Sequence, residues 1–204
     1  MQTNKITYSC FILPILPHKI GNVRDFLDDV GEKFKDETED RLKRAEIRRM
    51  LAFLQTMPEN GDFLVLLMQG YGELASTLHE LLSRDDRFPK YLADQVKDFT
   101  GIDISKEENV PDVRLLADWK ADRLYGEQKS MLLMPWCFAV PLLPGKSEEA
   151  MRLAQKVISI PKAQIMMQDH NIIRSLTFLQ HLPQGDFIVR HILASNPLDE
   201  LLAD

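Results

Sequence analysis

The stretch Cys10–Lys19, CFILPILPHK, recurs deep inside the chain as CFAVPLLPGK at Cys137–Lys146. Six of the ten aligned positions are identical, at an offset of 127 residues. A targeting peptide has no reason to recur inside a chain, so this apolar stretch is not interpreted as one. Because both copies are apolar at consecutive positions and are closed by proline, each is predicted to be a strand covered on both faces.

Two further blocks recur in the same order along the chain. Ile47–Pro58 matches Ile172–Pro183 at seven of twelve positions, and Gly61-Asp62-Phe63 is repeated as Gly185-Asp186-Phe187. Recurrence at a nearly fixed spacing is the signature of an internal repeat. The sequence therefore predicts two copies of one structural unit.

Each copy shows the pattern strand, helix, β-hairpin. The predicted first helix begins near Asn22 in one copy and near Ser147 in the other, both residues that cap helices well, and Pro161 is expected to end or kink the second of them. The long repeated block and the apolar run after Asn60-Gly61 form the predicted hairpin, since this dipeptide favours a tight turn.

A further helix and a fourth strand would complete a split βαβ unit in the first copy. Helices are predicted at Glu73–Leu82 and Phe88–Phe99, and Val113–Trp119 is the expected fourth strand. In the second copy a helix is predicted from Asn196, and the sequence ends at Asp204 before a fourth strand. The predicted fold class is α+β, with two tandem ferredoxin-like halves at residues 1–125 and 126–204, the second half truncated.

This element order and the repeat resemble the dimeric α/β barrel superfamily of ferredoxin-like folds. The resemblance implies a single-chain barrel in which two sheets pack face to face with helices outside. The superfamily includes antibiotic-biosynthesis monooxygenases, haem-degrading enzymes and many uncharacterised branches, and the chain is most similar to an uncharacterised branch. Because one fold hosts many activities, the resemblance does not imply a particular function.

Charge and composition restrict the partners. A net charge of −6 argues against nucleic acid, whose phosphates require clustered Lys and Arg. The longest apolar run, Met131–Leu143, is short and interrupted by proline, so no membrane span is expected. The two cysteines lack CxxC spacing and metal-binding companions, as expected for reduced thiols in a soluble cytoplasmic protein without a cofactor.

The repeated block indicates where a ligand site could lie. Five shared residues, from Ile47 to Gln55, have the same parity and would lie on one face of a strand. We therefore hypothesise that Phe53, Gln55, Phe178 and Gln180 line the barrel interior, where a buried amide needs a partner. The alternative is that each glutamine bonds a nearby backbone group.

The sequence is compatible with two functions. The first is binding of a small apolar molecule in the barrel by a monomeric pseudo-dimer or a homodimer. The second is a cofactor-independent monooxygenase or a haem-handling enzyme, in which Gln55, Gln180 or His181 would assist proton movement. Three histidines cluster in sequence in the second copy, His170, His181 and His191, although no familiar metal-ligand spacing links them.

Overall fold

The computed structural model describes residues 5–82, 86–121 and 133–195, and the chain divides into two compact units, Met1–Pro111 and Asp112–Asp204. The elements of the first unit are β1 (Thr7–Ile15), α1 (Ile20–Asp28), a π-helical turn (Asp29–Lys33), α2 (Lys35–Arg44), β2 (Ile47–Met57), β3 (Gly61–Gly70), α3 (Leu74–Leu82) and α4 (Arg87–Thr100). Those of the second unit are β4 (Asp112–Lys120), β5 (Met134–Pro141), α5 (Ser147–Val157), α6 (Pro161–Asp169), β6 (Ile172–Leu182) and β7 (Gly185–Ala194).

Every strand expected from the repeated blocks is present, and the strands form two antiparallel sheets. The order is β1-β3-β2 in the first sheet and β4-β6-β7-β5 in the second. The described strands form no closed barrel. The mixed α+β class is thus confirmed, while the barrel of two ferredoxin-like halves remains a prediction.

The expected fourth strand of the first half is formed, but in the other sheet. β4 pairs antiparallel with β6, where Val113 lies opposite Gln180 and Trp119 opposite Ser175. The assignment of this segment to the first half is therefore wrong. Pairing of β4 depends on contacts distant in sequence, and its alternating pattern does not specify which sheet edge it joins. The helix expected from residue 196 lies outside the described residues.

Helix boundaries differ from the expectations at both predicted caps. α1 begins at Ile20, two residues before the expected cap Asn22, and α5 begins at Ser147 itself after Lys146. Pro161 does not end α5 but opens a separate helix, α6. Proline at the first helical position lacks only an N–H that has no intrahelical acceptor, so it starts a helix as readily as it stops one.

A β-bulge near the start of the repeated block corrects the predicted face. Ile47 lies opposite Gly70 while Arg49 lies opposite Gln69, so Arg48 is the extra residue. Because neighbours along a strand point to opposite faces, Ile47 does not share the face of Arg49 as expected. The second unit repeats this irregularity, with a register shift between Ile172 and Arg174.

Each sheet turns one face, here called its helix face, toward the helices of its own unit. In the first unit Phe11, Leu64 and Met68 lie beside residues of α1, α3 and α4. In the second unit Trp119 and Ile192 form a cluster with Met167 of α6, against which Trp136 and Phe138 pack. Burying one large apolar side chain stabilises a fold by roughly 1.5–3 kcal/mol, so these clusters hold the helices on the sheets. None of the described helices is long and apolar enough to cross a membrane.

Candidate functional site

The residues predicted to line a ligand site lie on the face of each sheet that is opposite the helix face. Gln55 is opposite Phe63 in the first sheet, and Gln180 is opposite Phe187 in the second. Phe178 and Gln180 are 1% and 0% exposed, whereas Phe53 and Gln55 are only half-buried. The two copies therefore place matched residues in different environments.

Gln55 and Gln180 both have interaction partners in the structure. A fully buried side chain such as Gln180 must be satisfied in this way, because an unpaired buried amide costs about 1–3 kcal/mol. Their burial alone gives no evidence of a bound molecule.

His181 points away from Gln180 and is exposed. Its Nδ1 lies 2.6 Å from Asp186 Oδ1, and the Ser147 hydroxyl donates to the other carboxylate oxygen of Asp186. These two hydrogen bonds hold the pKa of Asp186 below its ordinary value of 3.8, against the opposing effect of burial. Because the serine donates to the carboxylate and not to the histidine, no nucleophile is activated here. The cluster instead ties the β6–β7 turn to the start of α5.

The other two histidines of the second copy are separate from this cluster. His191 is buried on β7, with Nδ1 3.5 Å from Cys137 Sγ and 3.2 Å from the Trp136 carbonyl oxygen. His170 follows the last residue of α6. Among the described residues, no group of three or more His, Cys, Asp and Glu side chains could hold a metal ion. The Cys137–His191 pair could have been anticipated, since both residues lie on strands that the repeat already identified.

Sequence reasoning missed an apolar cavity, here called the first-unit cavity, between the helix face of the first sheet and the helices that cover it. Its volume is about 90 Å³, and Phe53 and Gln55 do not line it. The lining residues are Phe11, Phe26, Leu27, Val30, Thr38, Met50, Ala52, Leu64, Leu66, Met68, Leu78, Leu81, Leu82, Phe88, Leu92, Val96 and Ile104.

The cavity wall offers almost no hydrogen-bonding group. Among the described residues that line it, Thr38 alone has a polar side chain, and its hydroxyl donates to the Phe34 carbonyl oxygen at 2.7 Å. Ala52, on the edge strand β2, is exposed, and Met50 beside it is half-buried. The mouth of the cavity therefore lies at this edge of the sheet.

The signal for this cavity was present in the repeated block. Most positions of this block that the copies share have one parity, whereas the helix face carries positions where the copies differ. Met50 and Ala52 line the cavity, and their aligned residues in the second copy are Ser175 and Thr177. The face that has the cavity is therefore the one on which the residues of the two copies differ, not the one on which they are identical.

A larger surface groove of about 600 Å³ lies between α2 and the start of α4, and its charged groups include close ion pairs. Arg41 Nη2 lies 2.6 Å from Asp86 Oδ2, and the buried guanidinium also donates to the Glu80 carbonyl oxygen. Burial, aided by a hydrogen bond to Asp29, raises the pKa of Tyr91 to about 12, so its hydroxyl stays protonated. These interactions fasten α2 and the π-helical turn to α4, which is a structural role.

Comparisons with models of protein families, with curated proteins and with solved structures found no match to this chain.

Proposed function

We propose that the protein binds a small apolar molecule, or the apolar part of a larger one, in the first-unit cavity. The observation that carries this proposal is the cavity itself, about 90 Å³ with an almost wholly apolar wall. Close packing is the rule in protein interiors, so an unfilled space of this size has a cost unless something occupies it.

The size and chemistry of the cavity restrict the occupant. An apolar cavity of about 150 Å³ stays dry and accepts benzene or xenon. At about 90 Å³ the first-unit cavity suits a smaller guest, although Met50 and Met68 are flexible side chains that can enlarge it. Because the one hydroxyl in the wall already donates to a carbonyl, the guest needs no hydrogen-bonding group.

Blocking the mouth tests this proposal without disturbing the core. Ala52 is exposed, so Ala52→Trp should fold normally while placing an indole over the entrance. Xenon binding, followed by the chemical shift of dissolved xenon, should weaken by at least about tenfold in this variant. Ala52→Ser is the matched control and should bind xenon as the wild type does.

The natural occupant is sought on the protein as purified. Native mass spectrometry should reveal a bound mass that is lost from Ala52→Trp and retained in Ala52→Ser. The proposal fails if xenon binds the wild type and Ala52→Trp equally, or if neither xenon nor a co-purified molecule binds the wild type.

The fold that frames the cavity is proposed to be a duplicated ferredoxin-like unit of the dimeric α/β barrel type. Both units place the last of three strands between the first two, as β1-β3-β2 and β5-β7-β6. The positive-φ residues also correspond, His18 with Gly145 and Glu46 with Asn171. Left-handed backbone is uncommon outside glycine, so its recurrence at aligned positions supports a common origin. The site predicted at Phe53, Gln55, Phe178, Gln180 and His181 remains a prediction.

A further inference from the structure

Arg190 is a cation on the helix face of the second sheet without a carboxylate to pair with among the described residues. It lies on the central strand β7, opposite Phe138 on one side and Thr177 on the other. Its Nη2 donates to Ser175 Oγ at 2.9 Å, while its Nε–H is buried and has no hydrogen-bond partner in the described part of the chain. Four of the five guanidinium donors are therefore not used by this bond.

A second unused donor lies on the same face. The indole Nε1–H of Trp136 is also buried, and no residue that the structure describes accepts a hydrogen bond from it. Trp136 lies opposite Ile192 on β5, so it is the diagonal neighbour of Arg190, with Cα atoms roughly 7–8 Å apart. Ser175 lies opposite Ile192 on β6, which places all three polar side chains in two adjacent rows of one sheet face.

The first copy has an apolar residue at the position of this arginine. The residue aligned with Arg190 in the first copy is Leu66, which has Phe11 and Ala52 as its cross-strand neighbours, just as Arg190 has Phe138 and Thr177. One copy thus packs its helix face with leucine at this position. Burial lowers the pKa of Arg190 from its ordinary value, which reflects the cost of keeping the charge there.

An anionic ligand would use these donors and offset that cost. Burying an unpaired donor costs about 1–3 kcal/mol, and burying an unpaired charge costs more. Arg190 is only partly buried as a whole residue, so part of this residue is exposed to solvent. The flanking side chains of Phe138 and Ile192 are apolar.

We propose that Arg190, Trp136 and Ser175 form a binding site for a small carboxylate carried on an apolar body. The carboxylate accepts from the guanidinium and from the indole N–H, and the apolar body packs on Phe138. One cation and two neutral donors suit a monoanion. A phosphate dianion requires further positive charge or backbone N–H groups for a comparable fit.

Benzoate is the probe, and benzamide is its neutral isostere. Titration of the full chain with benzoate should change the tryptophan fluorescence saturably, with benzamide binding at least about tenfold more weakly. In the NMR spectrum, benzoate should shift the Nε–H resonance of Arg190. Inorganic phosphate is the competing anion and should bind more weakly than benzoate.

Substitutions test whether Arg190 and Trp136 bind the benzoate. Arg190→Met should weaken benzoate binding by at least about tenfold, and Trp136→Phe by a few-fold. Arg190→Lys keeps the charge but loses the paired donors, so its affinity should fall between those of the wild type and Arg190→Met. Arg49→Met, which removes an exposed arginine from the first sheet, should have no effect. Ala52→Trp should also leave benzoate binding unchanged, which separates this site from the first-unit cavity.

The proposal is overturned if benzoate and benzamide bind equally, if phosphate binds more tightly than benzoate, or if no saturable benzoate binding occurs. Equal affinity of wild type and Arg190→Met would also overturn it. Should Arg190→Met fail to fold, the benzamide comparison, the NMR shift and Trp136→Phe still decide the outcome.

Discussion

The helix faces of the two sheets have the same strand pairing but carry different types of side chain at matched positions. In the first sheet, the row Phe11, Leu66 and Ala52 crosses β1, β3 and β2. In the second sheet, the corresponding row is Phe138, Arg190 and Thr177 across β5, β7 and β6. The phenylalanine is shared, while leucine is exchanged for arginine and alanine for threonine.

The next row also differs in residue type between the two sheets. Ser9, Met68 and Met50 cross the first sheet, and Trp136, Ile192 and Ser175 cross the second. The result is an apolar cavity in one unit and a set of unused buried donors in the other. Strand pairing fixes where side chains stand, whereas the residue types at those positions decide which ligand chemistry the face can accept.

Exchanging leucine for arginine in the first unit should have the largest effect on stability. Leu66→Arg places a charge in the wall of a cavity whose one hydroxyl is already bonded. We expect the free energy of unfolding, measured with urea, to fall by about 3 kcal/mol, since an uncompensated buried charge is strongly destabilising. Leu66→Met keeps the volume and should cost less than about 1.5 kcal/mol. Equal costs for the two substitutions would contradict the contrast between the faces.

The reverse exchange should stabilise the second unit. In ligand-free protein, Arg190→Met removes a partly buried charge with one hydrogen bond and replaces it with an apolar side chain of similar length. The free energy of unfolding should rise by about 1.5 kcal/mol, reduced from the full gain because Ser175 loses its partner. A drop in stability relative to wild type would show that the arginine serves the fold.

The turn after β6 differs from the turn after β2 by a histidine and a serine. Asp186 accepts hydrogen bonds from His181 and Ser147, while its counterpart Asp62 accepts from Thr56 at 2.5 Å. Asp186→Asn should lower the free energy of unfolding at neutral pH by about 1 kcal/mol, a modest figure because the site is partly exposed.

The pH dependence of the stability lost in Asp186→Asn follows from the direction of the pKa shift of Asp186. The folded protein holds the pKa of Asp186 below 3.8, so its contribution is present above the unfolded pKa. It disappears as the pH falls through the lower, folded pKa. Denaturation at several pH values below 5 should therefore show the wild type and Asp186→Asn converging at acid pH. If the two free energies of unfolding differed by the same amount at every pH, the ionised Asp186 carboxylate would not be the cause of the lost stability.

The repeat predicted the strands and hairpins of both units because these depend on local periodicity and turn residues. It could not predict that β4 joins the second sheet, since that choice rests on contacts distant in sequence. The bulge at Arg48 has no local signal, because arginine is an ordinary strand residue there. The start of α6 at Pro161 was interpreted as a stop, although proline is compatible with both ends of a helix.

The candidate sites were predictable only in part, for a related reason. Shared residues such as Phe53 and Gln55 report what the two copies have in common, which is the framework. The cavity beside Ala52 and the unused donors of Arg190 lie at positions where the copies differ. Residues that differ between the copies indicate a site only when the strand register shows which of these residues are neighbours.

The smallest expected effect concerns the left-handed residue after the first strand of each copy. His18 has φ 66° and is exposed, whereas the aligned Gly145 has φ 76°. Glycine adopts this conformation without the cost of about 1–2 kcal/mol paid by other residues, but it also gains freedom in the unfolded chain. His18→Gly should therefore raise the free energy of unfolding by only about 0.5 kcal/mol.

The matched substitution in the second copy, Gly145→Ala, should lower the free energy of unfolding by about 1 kcal/mol. Since a Cβ added at Gly145 would meet no atom within 4 Å, this loss of stability comes from backbone strain alone. If urea denaturation showed that both substitutions destabilise the protein, the side chain of His18 would have a role that Gly145 lacks.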